Sequence, residues 1–167
     1  MNPSGRLRDK GVAKADIDRN APVWESAEIH ISAPLETVWS VLTDFANWPK
    51  WNVSVTKMRL DGPVATGTEF HWKGGGANIV STIQELSPRT RILWTGRTFG
   101  IKAIHVWSFR PENDGVVVNT EESFAGVLPR ILKSQMRRLL KKSLEEELSY
   151  LRRECEARKQ SAASGQR

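Results

Sequence analysis

Apolar and polar residues alternate through most of the chain between residues 23 and 124, and this two-residue period is typical of β-strands. The first run, VWESAEIHI at residues 23–31, ends in a Ser-Ala-Pro turn. Further runs are separated by Gly, Pro, Asn and Asp, and they lie at residues 53–60, 68–72, 78–86, 90–97, 102–110 and 116–124. The gaps are too short for crossover helices, so the pattern predicts an antiparallel meander of about seven strands.

Helical spacing of apolar residues appears before and after this meander. A short helix is predicted over residues 34–42, and a second short helical or turn segment over residues 44–51, where Pro49 interrupts the helix. From Gly126 onward one apolar stripe at three- and four-residue steps predicts a long C-terminal helix. The stripe consists of Leu128, Ile131, Leu132, Met136, Leu139, Leu140, Leu144, Leu148 and Leu151.

The length of 167 residues fits one domain with one hydrophobic core. We expect this α+β domain over residues 22–158. Residues 1–21 lack core-forming side chains and are expected to form a flexible N-terminal tail, and residues 159–167 a disordered C-terminal tail.

The formal net charge of +6 could indicate an anionic partner, so its position matters. Most of it comes from the segment 128–160, whose Lys and Arg residues outnumber its Glu residues by five. A solvated helix face is the favoured interpretation. Nucleic acid is disfavoured as a partner, while peripheral contact with an anionic membrane stays open as an alternative.

Several kinds of chemistry are not indicated by the sequence. Cys155 is the only cysteine, so no intramolecular disulfide can form, and no Cys/His cluster has zinc-like spacing. The run Gly74–Gly76 lacks the Lys-Ser/Thr of a phosphate loop. We therefore expect no metal and no cofactor. No apolar signal peptide or stretch of about 18 apolar residues occurs, and we expect a cytoplasmic protein with no transmembrane segment. The oligomeric state is not predicted.

Four sequence motifs, taken in order and spacing, carry a family resemblance. They are ISAPLETVW at residues 31–39, TDF followed by WPKW at 43–51, HVWSFRP at 105–111 and ESFAG at 122–126. This order resembles the SRPBCC superfamily, which includes START and pollen-allergen-like proteins, and is most similar to its polyketide cyclase/dehydrase-like branch. The resemblance implies a helix-grip fold, in which a curved antiparallel sheet with two short helices and a long C-terminal helix encloses a cavity for an apolar molecule.

Alternation along the last two predicted strands gives candidate polar residues for that cavity. His105 and Trp107 share one face of their strand, and Thr120 and Glu122 share one face of the next. A hairpin loop centred near Asn113 would place His105 opposite Thr120 and diagonal to Glu122. His105 and Glu122 are therefore candidate catalytic residues for acid/base chemistry, although an ordinary buried polar pair is the favoured alternative.

Aromatic side chains on the strands could stack against a ring-bearing ligand. The predicted ligand-binding residues are Phe70, Trp72, Trp94, His105, Trp107, Phe109, Val118, Thr120, Glu122, Phe124, Met136, Leu139 and Leu140.

The leading hypothesis is binding or transport of a small hydrophobic molecule, lipid-like or an aromatic polyketide. The alternatives are a cofactor-independent polyketide cyclase/dehydratase and an interaction module that binds an anionic partner through the basic helix. The sequence leaves the choice between catalysis and binding open.

Overall fold

The computed structural model describes residues 16–164. Seven strands and four α-helices follow one another in this order: β1 (Val23–Ile31), α1 (Leu35–Thr43), α2 (Trp48–Trp51), β2 (Val55–Leu60), β3 (Glu69–Gly74), β4 (Ala77–Ser87), β5 (Arg91–Thr98), β6 (Ile101–Glu112), β7 (Gly115–Gly126), α3 (Val127–Ile131) and α4 (Lys133–Ser164). A 3₁₀ turn at Phe45–Asn47 joins α1 to α2.

All seven strands belong to one antiparallel sheet in the order β1-β7-β6-β5-β4-β3-β2. The curved sheet, the short helices and the long C-terminal helix confirm the predicted α+β helix-grip fold. Helix α4 packs along β1 and α1, which fixes it across the concave face of the sheet.

The core lies between the sheet and the helices. The middle part of α4 contributes Leu144, Leu148, Leu151 and Cys155, all of them buried. The tryptophan-rich α2 closes one side, where the Trp48 indole N–H donates to the Leu42 carbonyl over 2.7 Å and the ring stacks on Phe45 at 4.7 Å. Burial of such large apolar surface contributes about 1.5–3 kcal/mol per side chain.

The predicted apolar stripe contacts the core only in part. The chain leaves helical geometry at Leu132, whose φ of −106° and ψ of 33° separate α3 from α4. Leu128, Ile131, Leu132 and Leu139 are exposed instead of packed on the sheet. Helix α4 also continues to Ser164, so the expected disordered tail is wrong for residues 159–164. Lys, Gln and Ala in this segment have high helix propensity, which favours the extension.

Part of the expected N-terminal tail is attached to the domain. Ile17 is buried against Leu93 and Val106 on the sheet face opposite the cavity. Asp16 forms an ion pair with Arg91 at 2.7 Å. The expected tail is therefore wrong for these last residues, and residues 1–15 lie outside the described part of the chain.

No helix within residues 16–164 is both long enough and apolar enough to cross a membrane.

Candidate functional site

A cavity of about 450 Å³ lies between the concave face of the sheet and the N-terminal half of α4. Eight of the predicted ligand-binding residues line it, namely Trp72, Trp94, His105, Glu122, Phe124, Met136, Leu139 and Leu140. The remaining walls come mainly from small residues and from polar residues of the helix.

Small residues on the central strands create this space. Gly96 of β5 pairs with Ala103 of β6, which in turn pairs with Phe124 of β7. All three line the cavity, and β4 adds Ala77 and Ser81. Since the side chains of Gly96, Ala103, Ala77 and Ser81 hardly rise above the sheet, α4 cannot close the gap and a void remains.

The next row of the sheet, nearer the core, carries the aromatic and ionisable groups. Trp94, His105 and Glu122 lie directly side by side on β5, β6 and β7. The predicted diagonal between His105 and Glu122 is therefore wrong by two residues of register. The observed hairpin is centred between Asn113 and Asp114, and moving the centre of a turn by one residue shifts the partner of every position by two residues.

His105 is buried between two indole rings. Its ring centroid lies 4.9 Å from that of Trp94 and 5.4 Å from that of Trp107, which stacks on it at 28°. Burial lowers the pKa of His105 to about 3, so the imidazole is neutral at neutral pH.

Both imidazole nitrogens of His105 face a polar partner. Nε2 lies 2.8 Å from the Thr120 hydroxyl oxygen, and Nδ1 lies 3.6 Å from Glu122 Oε1. In a neutral imidazole one nitrogen donates and the other accepts. His105 is therefore hydrogen-bonded to Thr120, whereas Glu122 lies beside its other nitrogen but beyond hydrogen-bond distance.

A second carboxyl group, Glu147, enters the cavity from α4. Burial raises its pKa to about 7, against the opposing effect of the hydrogen bond that the Ser143 hydroxyl donates to Oε1 over 3.3 Å. Burial also raises the pKa of Glu122 well above its usual range, and the charge of Glu147 raises it further. Both effects favour the protonated form of Glu122, which can donate a hydrogen bond.

Sequence reasoning missed Glu147 as a site residue. The signal was present in helical spacing, because Met136, Leu140, Ser143 and Glu147 follow one another at steps of four, three and four residues. These four side chains belong to the cavity wall of α4, which also includes Leu139, Lys142 and Glu146.

Five predicted site residues lie outside the cavity. Thr120 is behind His105, and Trp107 supports the other side of the imidazole. Phe109 contacts Trp39 edge to face at 5.5 Å, and Phe70 and Val118 are in the core. These side chains support the site without bordering the space.

The cavity opens at the end of the sheet where β3 turns into β4 and β5 into β6. Gly75 and Thr98 border it from these turns, and Leu139 borders it from α4. Within residues 16–164, Arg97 and Lys142 are the two cations that line the cavity, and both are exposed at this opening.

A separate group of possible metal ligands lies on the surface. Within the described residues, Asp61, Glu69 and His71 place ligand atoms within 4.8 Å of one another. Asp61 also pairs with Arg59 at 2.9 Å and Glu69 with Arg97 at 3.4 Å. The group is accounted for as a surface ion-pair network.

Comparison with known proteins agrees with this geometry. Residues 26–156 match the family described as polyketide cyclase / dehydrase and lipid transport, and the chain belongs to this family. The predicted SRPBCC resemblance is confirmed. A search of curated proteins finds no match.

Solved structures with low sequence identity share the fold. A hypothetical protein from Helicobacter pylori is 20% identical with a TM-score of 0.75, over 83% of this chain and 91% of that one. A START superfamily protein from Mycobacterium smegmatis is 16% identical with a TM-score of 0.70, over 80% and 97%. The di-domain ARO/CYC StfQ from the steffimycin biosynthetic pathway is 16% identical with a TM-score of 0.69, over 81% of this chain and 51% of that one.

Proposed function

We propose that the protein binds a small apolar molecule in the cavity between α4 and the sheet. The observation that carries this proposal is a preformed space of about 450 Å³ with aromatic and aliphatic walls and a few convergent polar groups. Its volume falls in the range of roughly 300–1,000 Å³ that is typical of small-molecule sites. The family description, which includes lipid transport, supports the same class of ligand.

The polar groups of the cavity favour a ligand that is uncharged at its inner end. Glu122 and Glu147 face the space, whereas the cations Arg97 and Lys142 stand at the opening. A ligand carboxylate placed beside Glu122 and Glu147 would be repelled by them or would force them to stay protonated. A hydroxyl or carbonyl oxygen, in contrast, can accept a hydrogen bond from the protonated Glu122.

Filling the cavity tests the proposal without removing a core side chain. Ala103→Leu adds bulk inside the space, and Ala125→Leu adds the same bulk to β7 on the other face of the sheet. Binding of 2-naphthol, followed by tryptophan fluorescence and by the rise in melting temperature, should be lost in Ala103→Leu and kept in Ala125→Leu. Equal binding of 2-naphthol by both variants would mean that the compound binds outside this cavity.

A matched pair of probes tests the preference for a neutral ligand. 2-Naphthol and 2-naphthoate share the ring system and differ in charge. Above about pH 7, where Glu147 is ionised, 2-naphthoate should bind at least tenfold more weakly than 2-naphthol. A tenfold difference in affinity corresponds to about 1.4 kcal/mol of binding free energy. Stronger binding of naphthoate would contradict the proposed polarity of the site.

An enzyme of the polyketide cyclase/dehydratase kind is the second candidate, and the position of the Glu122 carboxyl group in the cavity beside the buried His105 favours it. Glu122 would donate the proton to the substrate, while His105, a weak base with a pKa of about 3, would stay neutral next to it. Glu122→Gln keeps the shape of the side chain and removes the acid. Retained binding with lost turnover of a candidate substrate would support the enzyme, and unchanged turnover would exclude this role.

A further inference from the structure

The exposed large apolar side chains of the described residues are gathered at the open end of the cavity. Six of them form what we term the mouth patch: Phe99, Val127, Leu128, Ile131, Leu132 and Leu139. Phe99 is 77%, Ile131 71% and Leu139 67% exposed. Val53, the one such residue outside the patch, precedes Ser54, which lines the cavity. Water-exposed apolar surface concentrated in this way marks an interaction site.

The parts of the mouth patch are contiguous. Ile101 at the start of β6 pairs with Gly126 at the end of β7, and α3 packs on the ends of both strands. A side chain at Gly126 would collide with the Gly100 carbonyl, so the β5–β6 turn lies directly against the start of α3. Leu139 extends the patch to the cavity wall.

Phe99 stands at the tip of the β5–β6 turn in a conformation that disfavours it. Its φ is 37°, and that of Gly100 is 72°. Turns with two positive φ angles usually contain Asn, Asp or Gly, and a bulky side chain is strained there. Folding alone therefore does not account for an exposed aromatic ring at this position.

The two chain segments that form the mouth patch carry basic residues and no acidic ones. Residues 126–142 contain six Lys and Arg residues and no Asp or Glu, and residues 97–102 add Arg97 and Lys102, again with no acid. Arg130, Lys133 and Arg138 are exposed beside the patch. Arg137 is partly neutralised by Glu25, at 2.7 Å.

We propose that the mouth patch docks the protein onto an anionic phospholipid bilayer, with the cavity opening toward the lipid. Apolar side chains on an exposed turn and a short helix can insert at the level of the headgroups, and the surrounding cations attract anionic lipid. Nucleic acid would account for the charge but not for the exposed Phe, Ile and Leu side chains. This inference is independent of the ligand, because docking requires only the outer surface.

Vesicle co-sedimentation of the full chain tests the proposal. The protein should bind vesicles of phosphatidylcholine mixed with phosphatidylglycerol, bind phosphatidylcholine vesicles much more weakly, and dissociate as salt is added. Phe99→Ser combined with Ile131→Ser should reduce the partition coefficient at least tenfold, since burial of either side chain in the interface supplies that much. Both residues are exposed, so the melting temperature should be unchanged and a folding defect can be recognised.

Two lysines of the same helix give a matched control for charge. Lys133 lies at the patch and Lys159 lies near the far end of α4, roughly 40 Å away at about 1.5 Å per residue. Lys133→Gln should weaken binding about fivefold, and Lys159→Gln should leave it unchanged. Equal weakening by both variants would mean that vesicle binding depends only on the net charge of the protein, which contradicts docking through the mouth patch.

Other outcomes would overturn the proposal. Absence of binding to the mixed vesicles, or binding that the Phe99 and Ile131 changes do not affect, contradicts it directly. If sedimentation velocity instead showed a dimer that these two changes dissolve, and no vesicle binding, the patch would be an interface between copies of this chain.

Discussion

The ionisation of Glu147 should make the stability of this protein depend on pH. Its carboxyl group is buried in the cavity wall, which raises its pKa from 4.5 to about 7. The folded state therefore holds the proton more tightly than the unfolded chain. The resulting stabilisation is fully present below about pH 4.5 and is lost as the pH rises through about 7. Glu147→Gln removes the group that ionises and keeps its size.

The size of this effect follows from the same pKa. A rise from 4.5 to about 7 corresponds to about 3 kcal/mol of unfolding free energy, as an upper bound for a group that borders a partly open cavity. At about 2–4 °C per kcal/mol for a chain of this length, Glu147→Gln should raise the melting temperature at about pH 8.5 by up to roughly 10 °C. At about pH 4.5 the variant and the parent should melt within about 1–2 °C of each other, because both side chains are then largely neutral.

Thermal unfolding followed by circular dichroism at the two pH values measures this difference. Glu145→Gln is the control, because Glu145 is 58% exposed and pairs with Lys141 at 3.5 Å on the outside of the same helix. It should shift the melting temperature little at either pH. If Glu147→Gln lowers the melting temperature at about pH 8.5, or shifts it equally at both values, Glu147 does not occupy a desolvated wall.

Three further predictions concern packing and the buried histidine. Leu139→Asp should leave the melting temperature nearly unchanged, whereas Leu144→Asp should prevent folding, because only Leu144 of the two is buried in the core. Equal melting temperatures of the two variants would refute the described orientation of α4. Ile17→Ala should lower the unfolding free energy by about 2 kcal/mol in urea titration, and a change near zero would show that the segment before β1 is not attached. Thr120→Val should lower the unfolding free energy by about 1–3 kcal/mol in the same titration, because it leaves Nε2 of His105 buried without a hydrogen-bond partner. An unchanged unfolding free energy would mean that this nitrogen finds another partner.

Most of the fold could be predicted from the sequence because its signals are local. The two-residue alternation of each strand, the turn residues between strands and the three- and four-residue steps of the last helix each depend only on nearby positions. Strand order follows from the short connections, and the observed sheet has the predicted meander with β1 placed beside β7.

The candidate site was harder to predict because it depends on register and on space. Alternation gave the correct faces for Trp94, His105 and Glu122, but the partner of His105 depends on the position of one turn. The helical wall was recognised only in its apolar members. Helical spacing places Glu147 on the same face as Met136 and Leu140, but whether that face borders an empty space depends on the small residues of the sheet opposite it.

Uneven packing along α4 explains why the cavity opens at one end. Its middle part is fixed by Leu144, Leu148, Leu151 and Cys155 against β1 and α1, whereas the first turns, which cover Gly96 and Ala103, meet small side chains and leave a gap. The chain leaves helical geometry at Leu132, so α3 turns away to pack on the ends of β6 and β7 instead of extending α4 over the opening. Small strand residues and a broken helix therefore produce together the enclosed volume and the exposed apolar edge around its entrance.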